Sequence, residues 1–168
     1  MKSRDSDDPY RTVIQTFNRR GIRYVVVGMA GINYYARQSS EMFATLDYDL
    51  FLEPTLKNIR QASEALKVLG FTVATSAGET EPGHVAQIVR QRRTLTATTL
   101  AGVMVECLLE ISGFPFSELA RDAATFTVRG VPVKVGRLTK LLKSKQVAAR
   151  PKDRAFLRRY RALLEDSE

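Results

Sequence analysis

Residues 23–52, RYVVVGMAGINYYARQSSEMFATLDYDLFL, decide how this chain is read. The β-branched run up to Val27 predicts a buried strand that ends at Gly28. Met29–Arg37 predicts a helix, so strand, glycine and helix follow with almost no loop. After a polar connection over 38–44, Thr45–Leu52 predicts a second strand, interrupted by Asp47 and Asp49. Strand period two puts both carboxylates on one face, with Leu46, Tyr48 and Leu50 on the other.

Working outward, Tyr10–Arg20 predicts a helix through Val13, Ile14 and Phe17, stopped at Gly21. Pro54 suits the first turn of a third helix, striped by Leu56, Ile59, Ser63 and Leu66 and closed by Gly70. Phe71–Thr75 predicts a short strand, and 76–84 a loop holding the sole histidine, His84. Strand-like stretches follow at 85–90, 94–99 and 102–109, then a hairpin of 125–129 and 131–135 around Gly130. Two helices, about 137–149 and 151–165, are divided at Pro151. The pattern predicts an α/β (α+β) fold: a mixed β-sheet flanked by helices, with two C-terminal helices. Residues 1–8 read as a disordered tail, 9–136 as the main domain and 137–168 as a basic helical pair packed on it.

The chain has 168 residues, which suits one compact domain, with 44% hydrophobic and 26% charged residues. One cysteine excludes an internal disulfide, and one Cys with one His excludes a zinc site of the usual protein-only kind. No apolar core near the N-terminus marks a signal peptide and no run suits a membrane span, so a reducing cytoplasm is expected. The net charge is +8, yet residues 129–161 alone carry twelve Lys/Arg against Asp153. The body is therefore slightly acidic and the C-terminal end strongly basic, which suits an anionic partner, nucleic acid first.

Three acids break the strand pattern: Asp47, Asp49 and, in GVMVECLLE (102–110), Glu106. Ionised carboxylates on central strands repel one another, and a shared divalent cation resolves this, hard oxygen donors pointing to Mg²⁺ or Mn²⁺; the alternative is that all three stand at strand ends, solvated or salt-bridged. By itself Asp-x-Asp is weak, since Asp5 and Asp7 repeat it in the polar tail. If the acids crowd one site, Asp47→Asn should stabilise the metal-free protein. The turn at Gly28 exposes backbone N–H groups to an anion, though no Walker A or GxGxxG motif is present. His84 has no Ser or Cys partner in sequence, and Cys107 should face away from Glu106 into the core. Tyr34 and Tyr35 suit helix packing or stacking on a base. On the last two helices, Lys145 and Asp153 fall on the apolar stripes, so Lys145 snorkels, pairs with Asp153 or reaches an anion. Arg154, Arg158 and Arg161 line the outer face of the last helix.

VVVGMAGINYY (25–35), ATLDYDLFL (44–52), VMVECLLEISGFPFSEL (103–119) and GVPVKVGRLTKLLKSKQVAARPKD (130–153) together resemble the DNA polymerase β-like nucleotidyltransferases. The nearest resemblance is to small bacterial and archaeal members related to abortive-infection toxins and to the minimal nucleotidyltransferases. That resemblance implies the corresponding fold and transfer of an NMP from an NTP to a hydroxyl, either an RNA 3′ end such as that of tRNA or a protein side chain. It implies Asp47, Asp49 and Glu106 as ligands of Mg²⁺ or Mn²⁺ and Lys145 as a catalytic cation. It also implies Gly28, Met29, Thr45, Arg150, Lys152 and Asp153 as the nucleotide-binding set. Met29 departs from the family's second Gly or Ser, Phe43 from a frequent Arg, and Glu106 from the commoner Asp. These departures keep open a catalytically degenerate nucleotide- or RNA-binding member, or a partner in a toxin–antitoxin pair. A metal-dependent nuclease ranks behind, because Leu108 stands where Glu-x-Lys would place its lysine.

Overall fold

The computed structural model describes residues 8–166, and the side chains of 8–163. The expected tail, with Asp5 and Asp7, lies outside the described residues except for Asp8, which belongs to the fold. Its carboxylate accepts from Tyr10 N at the start of helix α1 (Pro9–Arg20), as an N-cap acid does. Val13, Ile14 and Phe17 bury the inner face of α1.

An eight-stranded mixed sheet forms the centre. In chain order its strands are β1 (Tyr24–Val27), β2 (Asp49–Leu52), β3 (Thr72–Thr75), β4 (Gly78–Glu79), β5 (Leu95–Thr98), β6 (Met104–Leu108), β7 (Ala124–Val128) and β8 (Val131–Val135). Across the sheet they run β4-β3-β5-β6-β2-β1-β8-β7. The β2–β6 and β1–β8 pairs are parallel and the other neighbours antiparallel. All four residues of β1 are buried, as a central strand covered on both faces requires.

The remaining helices are α2 (Gly28–Asn33), α3 (Leu56–Val68), α4 (Val85–Gln91), α5 (Phe116–Arg121), α6 (Leu138–Ala148) and α7 (Pro151–Asp166). Thr55 caps α3 by accepting from Asn58 N. Buried Asn58 then binds Arg23 N and O and Glu53 O, clamping α3 to the start of β1. Helix α6 docks through Leu141, whose methyls fill the space left by two glycines. A Cβ on Gly31 would meet one methyl at 3.1 Å, and a Cβ on Gly136 the other at 2.7 Å. That close approach seats α6 beside α2, and α7 follows against it. Tyr34 and Tyr35 pack on Phe126, and the Tyr35 hydroxyl donates to Gly136 O. Both rings are thus fixed by packing against the β7–β8 hairpin.

Three expectations need correction. Residues 85–90 form helix α4, not a strand. Val85 and Ile88, one turn apart, are its buried positions, and the turn Pro82–His84 leads into it with Glu81 and His84 capping each other. The loop over 76–84 holds strand β4 as well as that turn. The strand expected over Thr45–Leu52 begins only at Asp49. Strand β1 ends at Val27, opposite Asp49, so residues before Asp49 have no β1 residue to pair with. Leu46 is consequently 90% exposed and Asp47 lies outside the strand. No helix of the described residues is long and apolar enough to cross a membrane.

Candidate functional site

The site begins where β1 stops. Gly28 takes φ +68°, turning the chain straight from strand into α2. A Cβ there would lie 2.5 Å from Asp49 Oδ2, so no other L-residue fits without displacing that carboxylate. Asp49 opens β2, pairs with Val27 on one side and Glu106 on the other. Register partners point to one face of a sheet, so Asp49 and Glu106 share a face. Cys107 is buried, in register with Leu50 on the opposite face.

Asp49 is held in an unusual state. Burial first, then the charges of Glu106 and Asp47, push its carboxyl up to about 6, against the pull of Lys145 and Lys152. Its Oδ1 is buried with no hydrogen-bond partner among the described residues, which is costly for a charged oxygen. Asp47 sits after the bend at Leu46, exposed. Thr45 pins it there: Thr45 Oγ1 accepts from Asp47 N at 3.1 Å. The two aspartates therefore reach the site from different backbone settings, a correction to their expected shared strand face. Among the described residues, no three or more His, Cys, Asp or Glu side chains form a group able to hold a metal ion. The expected triad of Asp47, Asp49 and Glu106 is not gathered in that sense.

The opposite wall is basic. Asp153, on the first turn of α7, is 0% exposed. Its Oδ2 accepts from Arg150 Nε at 2.7 Å and from Arg150 N at 3.3 Å, and Lys145 Nζ lies 3.5 Å from Oδ1. Burial alone would raise this carboxyl, but Arg150 and Lys145 hold it below the ordinary carboxylate range. Accepting from the N–H just before the helix is also how a third-position acid closes a helix N-terminus. The Lys145 ammonium lies 4.9 Å over the Phe156 ring. Lys145 thus pairs with Asp153, one of its expected roles.

Both walls face one cavity of about 600 Å³. Gly28, Met29, Thr45, Asp47, Asp49, Lys145, Arg150, Lys152 and Asp153 all line it; Glu106 does not. Among the lining residues not singled out in the sequence, Thr94, Glu110, Ser112 and Ser144 carry polar groups. Ser144 Oγ donates to Ser112 O at 2.6 Å, tying α6 to the segment after β6. A signal for Ser144 existed: Leu141, Ser144, Lys145 and Ala148 follow i, i+3, i+4, i+7 and line the cavity together. Glu110 continues the alternation from Glu106 through Leu108 beyond the end of β6.

As chemistry, the cavity sets carboxylates against cations across a space large enough for a small-molecule ligand. Hard oxygens of Asp47 and Asp49, with the unpartnered Asp49 Oδ1, match what a divalent cation accepts. No protein-family model and no curated protein matches this chain.

Proposed function

We propose that the chain is a metal-dependent nucleotidyltransferase that moves an NMP from an NTP to a hydroxyl acceptor. The observation that carries this reading is the pairing, in one cavity, of Asp47 and Asp49 with Lys145, Arg150 and Lys152. A triphosphate with its divalent counterion needs both signs of charge. Neither wall alone would suit it. The mixed sheet, the turn at Gly28 and the resemblance to polymerase β-like enzymes support the same reading.

Asp47 and Asp49, which line the cavity, would hold Mg²⁺ or Mn²⁺, with Glu106, in register with Asp49, as a third ligand only once it turns toward the cavity. When bound, such an ion neutralises phosphate charge and acidifies a nearby hydroxyl. Lys145, Arg150 and Lys152 bind and orient the phosphates and stabilise charge developing on the leaving group. Asp153 keeps Arg150 and Lys145 at the cavity wall. Gly28 leaves room for the Asp49 carboxylate, and the main chain at Gly28 and Met29 lines the cavity where the phosphates would lie. The acceptor oxygen bonds to the α-phosphorus as the bond to pyrophosphate breaks, and the hydroxyl proton passes to water.

A second reading, nucleotide binding without transfer, is favoured by one observation: the third acid, Glu106, does not line the cavity. One experiment separates them. Each of the four α-³²P-labelled NTPs is incubated with protein, Mg²⁺ or Mn²⁺, total RNA and cell protein, beside Asp47→Ala. Label entering an RNA or protein band only with wild type is the expected result. NTP binding with no label transferred would replace transfer with the second reading.

A further inference from the structure

A second pocket, of about 250 Å³, adjoins the cavity and shares Thr45 and Asp47 with it. We propose that this pocket receives the terminal base of a single-stranded RNA whose 3′-hydroxyl is the acceptor. The proposal rests on the transferase reading and names the acceptor's class.

The walls include Tyr10, Tyr34, Met42 and Tyr48. Tyr10 and Tyr48 stack on each other at 4.6 Å, which fixes both rings as part of the wall. Several polar groups of the wall are already engaged. The Tyr34 and Tyr48 hydroxyls bond each other at 2.7 Å, and both amide atoms of Asn33 are taken by the Phe43 main chain. What the pocket offers a ligand is therefore flat apolar contact, with the Asp47 carboxylate at the edge shared with the cavity. A planar ring with a hydroxyl attached fits that combination, since stacking on aromatic and apolar walls is how unpaired bases are held.

Charge supplies the direction. Asp47 and Asp8, the latter capping α1 at Tyr10, disfavour a phosphate at the pocket. Beyond Met42 the sign reverses. Phe43 packs against Phe156 and Tyr160 of α7 and lies 5.3 Å under the Arg159 guanidinium. Arg154, Arg158, Arg159 and Arg161 are all exposed on that helix. The pocket thus suits an uncharged terminus, and the helix beside it a phosphate-bearing strand. A 3′-hydroxyl RNA end has that polarity.

The test measures binding alone, with neither NTP nor divalent cation, by anisotropy of a short 5′-fluorescein single-stranded RNA. Three probes share one sequence: an intact 3′-hydroxyl end, an end lacking the terminal base, and a 3′-phosphate end. The expected result is about tenfold weaker binding for each altered end. With Met42→Ala or Tyr10→Leu, the difference between intact and baseless ends falls below about threefold. Met42 is half-exposed, so its truncation leaves the fold intact. Arg159→Ala, at the guanidinium over Phe43, weakens all three probes alike and flattens the salt dependence. Equal affinity for intact and baseless ends overturns the proposal, as does label transfer to protein with no RNA bound. Base-dependent binding without NTP transfer would sink the transferase reading and leave the base subsite standing.

Discussion

Gly28 and Asp49 occupy each other's space: the side chain that Gly28 lacks would sit 2.5 Å from Asp49 Oδ2. The turn after β1 and the carboxylate at the head of β2 are one steric unit. Gly28→Ala therefore meets both a left-handed backbone and a clash, and should cost about 2 kcal/mol or more. In Gly28→Ala/Asp49→Ala the clash is relieved, so the double variant should lose less than the sum of the singles. Urea unfolding of all four proteins measures the coupling.

The pH dependence of stability should run against the usual carboxylate trend in metal-free buffer. The Asp49 carboxyl is raised from 3.8 to about 6 in the folded protein. Between about pH 4 and 6 the folded chain holds this proton more tightly than the unfolded chain. Stability from this group is thus full at the acidic end, falls as pH rises toward 6, and is flat above. Asp49→Asn should remove that fall and stabilise the metal-free protein above pH 6 by up to ~3 kcal/mol. The repulsion expected at Asp47 resides at Asp49 instead: Asp47 is exposed, and Asp47→Asn should change stability by less than about 0.5 kcal/mol. Thermal melts across pH, with a chelator present, distinguish the two variants.

Asp153 has the opposite sign. Its carboxyl is held below the ordinary range, so its contribution is present above that range and lost as pH falls through the lowered value. Asp153→Asn leaves Lys145 and Arg150 without their counter-charge and should destabilise by about 2 kcal/mol, less than a fully buried pair because Arg150 is largely exposed. Arg150→Ala should cost about 1 kcal/mol or less. Chemical denaturation at neutral pH compares them.

Glu106 and Glu110 offer a choice of third acid. Glu106 neighbours Asp49 in the sheet, whereas Glu110 lines the cavity and is exposed. On the proposed transferase reading, Glu106→Gln should lower nucleotidyl transfer about 100-fold or more, and Glu110→Gln less than about threefold. The reverse order in the labelled-NTP assay would move the third-acid role to Glu110.

Cys107 should be inert in the native protein. Burial, and then the charges of Asp49 and Glu106, push its thiol up to about 12, and the thiolate is the reactive form. A maleimide should label it only after unfolding; rapid native labelling would mean that β6 opens.

The sequence alone determined the local elements whose periodicity is strong. Val13, Ile14 and Phe17 declare α1, the run before Gly28 declares a central strand, and Pro151 divides the last two helices. From the residues themselves it marked Gly28, Asp47, Asp49, Lys145 and Asp153, since charged groups in apolar segments and a glycine at a strand end are visible without coordinates. Met29, Thr45, Arg150 and Lys152 came only from the family resemblance, and all nine line one cavity. Tertiary structure decided the rest. Whether 85–90 became strand or helix turned on which face was covered, and a short apolar run carries either period. Where β2 begins depended on β1 ending at Val27, a pairing between distant segments. That pairing put Asp49 inside and left Asp47 outside, although the two are only two residues apart. Burial acts on position in space, not on spacing in the chain, so only the folded sheet could separate their environments.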